Sequence, residues 1–400
     1  MNQAMLSNRI NRVKPSPSIA AKALVDRLRA EGRDIIDFTI GEPDLPTPAY
    51  IVDAAIKALD RGETKYTASS GIAPLRQAIA DSLRRDSSLE YRPENVVVGG
   101  GGKHVLFNAL TVTLNPGDEV IIPAPFWVSY PDMVALNDGV PVIVTCEEAD
   151  GFKLQPEALE AAITPKTKWL FLNTPNNPTG VVYTREELER IGAVLERHPH
   201  VWLLSDEIYE HFVFGGRTHV SPIAAIPCVA ERHLLVSGVS KGYAMTGWRI
   251  GYGAGPRPLI DAIGKLITQS TTCPSSISQA AAVAAFAGPR PDEISRIFAE
   301  RAELVAFLLR DAKGLTVSVP QGAFYLFPSV RDLIGKKTPD GKAIRTDLDV
   351  VQFLVEHAGV ATLDGTAYGL SPYLRLSFAT SNDAIVEGCN RIVRACADLR

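Results

Sequence analysis

Short apolar runs alternate with amphipathic stretches along most of this chain. Positions 96–98 are a β-branched run, four glycines follow at 99–102, and 103–114 then carries apolar residues at helical spacing. NPGD at 115–118 is turn chemistry. The segments 119–123, 141–146, 167–175, 201–207, 233–240 and 248–255 each read as short strands with nearly continuous apolar character. A helix is predicted over 184–198. It opens on a capping box, Thr184 followed three residues later by Glu187. Strands that are apolar on both faces, separated by helices, imply a mostly parallel sheet covered on both sides.

Beyond about residue 295 the pattern changes. A long helix is predicted over 294–312, and 316–319, 323–328 and 373–378 read as strands among further helices, an α+β arrangement. The expected division is a large domain over 45–295 and a smaller domain built from 1–44 and 296–400. The Pro-rich segment 41–48, GEPDLPTP, must be extended.

Composition narrows the function classes. The chain has 400 residues, 46% hydrophobic and 22% charged, enough to bury a large core. Lys and Arg total 41 against 45 Asp and Glu, a balance that argues against a nucleic-acid surface. Five cysteines, none in a C-x-x-C pair, point to reduced thiols rather than a disulfide framework or structural zinc. The N-terminus has basic residues without an apolar stretch behind them, so it does not read as a signal peptide. The apolar run at 280–288 is far shorter than the roughly 18 residues a membrane span needs. A cytoplasmic protein is expected, with neither nucleic acid nor membrane as partner.

Residues able to do chemistry fall near the carboxyl ends of the predicted strands, where open α/β sheets gather their sites. The run Gly99 to Gly102 follows a strand and precedes a helix, which aims amide N–H groups at an anion. It fits neither familiar nucleotide motif. G-x-G-x-x-G counted from Gly99 or Gly100 needs a small residue where His104 or Val105 stands, and a P-loop needs Ser or Thr after Lys103. A tight structural turn is the plain alternative. Lys241 lies in a loop of small and apolar residues after a strand. A partly buried amine able to form a Schiff base therefore competes with an exposed loop lysine. A Ser-x-x-Lys hydrolase pair fails because position 238 is Gly. Arg249 offers a planar fork to phosphate or carboxylate. Asp206 ends a strand and can pair with a buried cation or cap the next helix. Glu207 should point to the opposite face, which disfavours a shared carboxylate pair. Asn177 sits in the turn NTPNNPTG. Arg375 interrupts an apolar strand, so it is either salt-bridged or waiting for a carboxylate ligand.

Taken together these segments resemble the class I aminotransferases, the fold-type I pyridoxal-phosphate enzymes, and among them the bacterial aspartate aminotransferase branch. The resemblance runs from about residue 10 to 400. Its most specific stretch is SKGYAMTGWRIGYGAGP at 240–256, with NNPTG and SDEIY upstream in the family order.

That resemblance implies pyridoxal 5′-phosphate as cofactor, no metal, and the fold-type I α/β architecture: a large domain with a mostly parallel, helix-covered sheet plus a smaller α+β domain. It implies that Lys241 carries the cofactor covalently and moves the substrate proton, that Asp206 pairs with the pyridinium nitrogen, and that Tyr209 and Asn177 bond the phenolic oxygen. Trp127 matches the aromatic that stacks on the ring and borders the substrate. Gly101, Gly102 and Lys103 match the phosphate-side turn, with Arg249 as counter-charge. Gly238 stands where many members carry a phosphate-contacting serine, which leaves Ser237, Ser240 or the backbone to serve; Ser240 is counted among the cofactor contacts. Tyr66 matches the tyrosine that reaches the neighbouring subunit's phosphate, implying a homodimer with composite sites. Arg375, with the Gly41 backbone and Asn177, would clamp the substrate α-carboxylate. Lys103 would take the distal carboxylate, with the segment around Lys14 and Ser16 closing over it. The implied reaction moves the amino group of aspartate or glutamate to 2-oxoglutarate or oxaloacetate by a ping-pong route. Prephenate or aromatic amino-group transfer, or a β-lyase on the same fold, are the alternatives.

Overall fold

A computed structural model describes residues 5–400. Its main sheet has seven strands: β1 Val96–Gly99, β2 Glu119–Ala124, β3 Val140–Thr145, β4 Thr167–Asn173, β5 Trp202–Asp206, β6 His233–Gly238 and β7 Gly251–Ala254. They lie in the order β1-β7-β6-β5-β4-β2-β3. Neighbours from β6 through β3 pair in parallel, and β7 alone runs against its neighbours β6 and β1. The sheet is mostly parallel, as the apolar runs imply.

Alternation sorts its side chains onto two cores. Val98, Ile121, Leu170, Leu203 and Leu235 pack on one face. Val97, Ile122, Trp169, Leu204 and Leu234 pack on the other. Period-2 geometry then decides where chemistry can sit. Asp206, two residues after Leu204, shares that second face, and Glu207 turns to the first. The helix Arg185–Arg197 starts on the expected capping box, with Glu187 also held by Lys153 at 2.7 Å.

The C-terminal third has its own core, in which Phe298 of the helix Asp292–Leu309, Phe324 and Phe378 meet residues of the helix Asn382–Asp398. Tyr209 and Phe212, just after β5, also insert there, so this core and the main sheet are tied at the site. Arg301 of the helix Asp292–Leu309 grips Asp44 with two contacts, at 2.6 and 3.0 Å, and anchors the extended segment 41–48. Near the N-terminus, the short 3-10 helix Asn8–Arg12 is fixed by Arg9 and Arg12 to Asp138. Among the described residues no helix is long and apolar enough to cross a membrane.

Several expected strands are shorter than their apolar runs. The strand at 316–319 is absent except for one bridge, Thr316 to Ser329. Pro320 lacks the N–H that would continue a ladder, and Val319 is exposed. The run 323–328 contracts to Tyr325–Leu326, which pairs with Leu374–Ser377 in a small antiparallel sheet. The run 248–255 becomes a strand only at Gly251, because Thr246–Trp248 forms a 3-10 turn and Arg249 adopts a left-handed φ of 55°.

Candidate active site

Asp206, Asn173, Gly238 and Gly99 each end a strand on the same side of the sheet. Beyond those ends opens a cavity of about 500 Å³. Every residue expected to contact cofactor or substrate lines it except two. Gly101 sits against Arg249, one residue behind the wall. Tyr66 is 87% exposed and does not reach the cavity of its own chain. Of the N-terminal segment expected to close over it, Ile19 and Lys22 line it but Lys14 and Ser16 do not.

Lys241 is half-buried, and its Nζ donates to the Gly41 carbonyl at 2.6 Å across 200 residues of sequence. Burial first, then the nearby Arg249 and Arg375, lower its pKa from 10.5 to about 8, against the opposing pull of Glu42 and Asp206. Asp206 moves the other way. Burial raises it from 3.8 to about 6, opposed by hydrogen bonds from Tyr130 and the Ile208 amide. Asn173 ties the two strand ends together, donating to the Asp206 carbonyl at 2.9 Å and accepting the Asn177 amide at 2.8 Å. Glu207, on the opposite face, is paired with His219 at 2.6 Å and takes the hydroxyls of Ser205 and Ser221. The acidic neighbours therefore serve separate sites.

The glycine run builds an anion cradle. Gly101 has φ +94°, and a Cβ there would fall 2.4 Å from the Arg249 guanidinium. The helix Gly102–Thr113 begins directly behind it, and its first residues Gly102 and Lys103 line the cavity together with Arg249. Gly251 lies so close beneath that a Cβ on it would stand 2.1 Å from the Gly102 nitrogen. Ser240 lines the cavity, whereas Ser237 is buried on the far side and donates to Glu210 at 2.7 Å. Of the two serines, Ser240 is the one within reach of a ligand.

Of the cations lining this space among the described residues, Lys22 is paired with Asp26 and the other four rest on neutral acceptors. Arg249 donates to the Thr246 and Gly100 carbonyls. Lys103 donates to the Ser129 hydroxyl at 3.1 Å and lies 4.5 Å over the Trp127 ring. Arg375, fully enclosed, donates to the Thr39 carbonyl and the Asn177 side chain, with its Nε unpartnered. Its guanidinium is stacked 4.5 Å from the Tyr325 ring. Lys241 on Gly41 is the fourth. Of the two readings of a buried Arg375, the salt-bridged one is not realised among the described residues.

Some site residues escaped the sequence. Tyr325 joins hydroxyls with Tyr209 at 2.8 Å, and its oxygen would sit 2.9 Å from a Cβ on Gly41, which explains the glycine. It lay in an apolar run that reads only as a strand. Tyr130 donates to Asp206 Oδ2 at 2.7 Å. It stands three residues after Trp127, and only that neighbourhood hinted at it. Glu42, held by the Thr246 hydroxyl at 2.6 Å, carried no signal beyond the Pro-rich segment.

With a half-buried amine, a strand-end acid, a glycine turn beside Arg249 and a buried guanidinium that has no carboxylate partner among the described residues, the set can hold a phosphorylated cofactor and a carboxylate substrate together. Comparison with known proteins agrees. Residues 33–392 match the family described as aminotransferase class I and II. A probable aspartate/prephenate aminotransferase of Rhizobium leguminosarum bv. phaseoli is 50% identical over 98% of this chain and 99% of its own. An aspartate/prephenate aminotransferase of Cereibacter sphaeroides is 50% identical over 99% of this chain and 100% of its own. Among solved structures, an aspartate aminotransferase from Rhizobium meliloti superposes with a TM-score of 0.96 at 46% identity, covering 99% of both chains. One from Thermus thermophilus with maleate gives 0.89 at 40% identity, covering 98% of this chain and 99% of that one.

Proposed function

Because the chain belongs to the class I and II aminotransferases, we propose that it uses pyridoxal 5′-phosphate in this cavity to move the amino group of aspartate or glutamate to 2-oxoglutarate or oxaloacetate. One observation carries the reading: Lys103, Lys241, Arg249 and Arg375 converge on one cavity, and among the described residues none of them is in ion-pair contact with a carboxylate. Uncompensated cations at a partly desolvated site call for anions, and one phosphate with two substrate carboxylates would answer them.

The donor set fits the cofactor. Arg249, Ser240 and the turn at Gly101 and Gly102 suit its phosphate, Asp206 its ring nitrogen, Tyr209 and Asn177 its phenolic oxygen, and Trp127 the face of its ring. When bound, the cofactor supplies an aldehyde that condenses with amines and a ring that takes up the electron pair left when a Cα–H bond breaks. The chain's own residues do the rest. The Arg375 fork orients the substrate through its α-carboxylate, so that one Cα bond is held in the reactive direction. Lys103, toward Trp127, suits a distal carboxylate. Lys241 Nζ, with its lowered proton affinity, takes the Cα proton and returns it one carbon away. Asp206 is a carboxylate above about pH 6 and can balance a cationic ring nitrogen. Ile19 and Lys22 of the helix Pro17–Ala30 border the opening and can limit water on closure. In a homodimer the exposed Tyr66 would complete the phosphate site of the neighbouring subunit.

A second reading, prephenate as amino acceptor, is favoured by the names of the relatives at 50% identity, and Lys103 would suit its second carboxylate equally well. Borohydride reduction of the loaded protein followed by peptide mass mapping should put the cofactor's mass on the Lys241 peptide. An adduct on any other lysine, or none, would remove the basis of the reading.

A further inference from the structure

Both oxygens of the Asp206 carboxylate have donors fixed by the fold. The Tyr130 hydroxyl donates to Oδ2 at 2.7 Å and the Ile208 amide to Oδ1 at 3.3 Å. Tyr130 lies in the first turn of the helix Ser129–Leu136 and lines the cavity. Its ring stands edge-on to Trp127 and to Phe171, with both centroid separations 5.4 Å and interplanar angles of 89° and 85°. One side chain thus touches the strand-end acid through its hydroxyl and the aromatic platform through its ring edge.

We propose that Tyr130 is a positioning residue of the reaction: its hydroxyl orients and stabilises the Asp206 carboxylate, while its ring sets the tilt of Trp127. The inference rests on the reading that Asp206 faces the cofactor's ring nitrogen. Burial and the adjacent Asp206 hold the Tyr130 phenol well above its usual range, so the hydroxyl keeps its proton and acts toward Asp206 only as a donor. That bond is the first influence opposing the burial that pushes Asp206 up to about 6. The other groups facing Asp206 are few. Lys241 favours its charge, Glu207 on the same strand end opposes it, and the Tyr209 phenol lies nearby. Without the hydroxyl, Asp206 takes up a proton more readily and balances a cationic ring less well.

Tyr130→Phe removes the oxygen and keeps the ring. In cofactor-free protein with ¹³C-labelled aspartate carboxyls, the Asp206 signal is assigned by its loss in Asp206→Asn. Its proton affinity should rise roughly tenfold or more in Tyr130→Phe, since a hydrogen bond to a charged group is lost. In protein loaded with ¹⁵N-labelled pyridoxal 5′-phosphate, the ring-nitrogen signal should move toward its unprotonated position, and kcat should fall more than KM changes. Phe171→Leu loosens the same ring stack and spares the hydroxyl, so it should leave the Asp206 titration in place. Should Tyr130→Phe fail to fold, 3,5-difluorotyrosine at position 130, a stronger donor on the same ring, should lower the Asp206 proton affinity instead. An Asp206 titration unmoved by either change at position 130, or moved equally by Phe171→Leu, overturns the proposal. Failure of the cofactor reading would look different: the titration would respond as expected, yet no cofactor mass would appear on Lys241.

Discussion

At the scale of single residues, the site is a set of charges held against the preference of water. Between its folded pKa of about 8 and its ordinary 10.5, Lys241 binds fewer protons in the folded chain than in the unfolded one. The cofactor-free protein should therefore gain stability as pH rises through that window, and below about pH 8 it bears the full penalty. Lys241→Met, similar in volume and uncharged, should be more stable than the wild type at pH 7 by ~1–3 kcal/mol, with the gain shrinking toward pH 10. Urea unfolding at the two pH values checks this, and a less stable Met variant at pH 7 would contradict it. Lys103→Ala should raise KM for aspartate and glutamate by roughly tenfold or more through loss of a charge-assisted bond, and change little for amino acids with an uncharged side chain. Steady-state kinetics with both substrate types decides; an unchanged KM for aspartate ends the dicarboxylate assignment. Which residue types could act was legible in the sequence. How far burial would shift them was not, because desolvation is a property of surroundings the chain supplies from elsewhere.

At the scale of elements, β7 shows how backbone approach builds chemistry. It lies antiparallel between β6 and β1, with Gly251 opposite both Gly99 and Gly238. That packing leaves no room for a side chain, since a Cβ at Gly251 would stand 2.1 Å from the Gly102 nitrogen. Gly251→Ala should cost ~1–3 kcal/mol or more through overpacking against backbone, and it should weaken cofactor retention because the Gly101 turn must shift. Gly247→Ala, with nothing within 4 Å of the new Cβ, is the matched change that should do neither. Thermal unfolding and equilibrium dialysis of pyridoxal phosphate on both variants test the contrast. The glycine turn was visible as a motif in the sequence. The second glycine strand pressing on it was not, since it is 150 residues further along. The failed strand at 316–319 makes the converse point: apolar composition proposes a strand, and only a neighbour with matching hydrogen-bond groups completes one.

At the scale of the whole molecule, the cavity joins parts of the chain that are remote in sequence. Lys241 reaches Gly41 across 200 residues, and Arg375 reaches Asn177 across 198. Tyr66 is 87% exposed while Ile56 and Leu59 on the neighbouring helix are about half exposed, an apolar surface that suits a second subunit. Sedimentation equilibrium should therefore give twice the 43.2 kDa chain mass, and a monomer at micromolar concentration would remove Tyr66 from the site. Alternation of apolar residues and turn chemistry at strand ends determined the sheet and its covered faces, because those signals are local and repeat with the period of the backbone, whereas the kind of chemistry was legible only through the resemblance of the ordered motifs around Asn177, Asp206, Lys241 and Arg249 to the class I aminotransferases. The tertiary structure alone decided that Tyr130 would hold Asp206, that Tyr325 would stack on Arg375, and that Ser240 rather than Ser237 would face the cavity. Contacts of that sort depend on which distant segments pack together, and no local period in the chain records them.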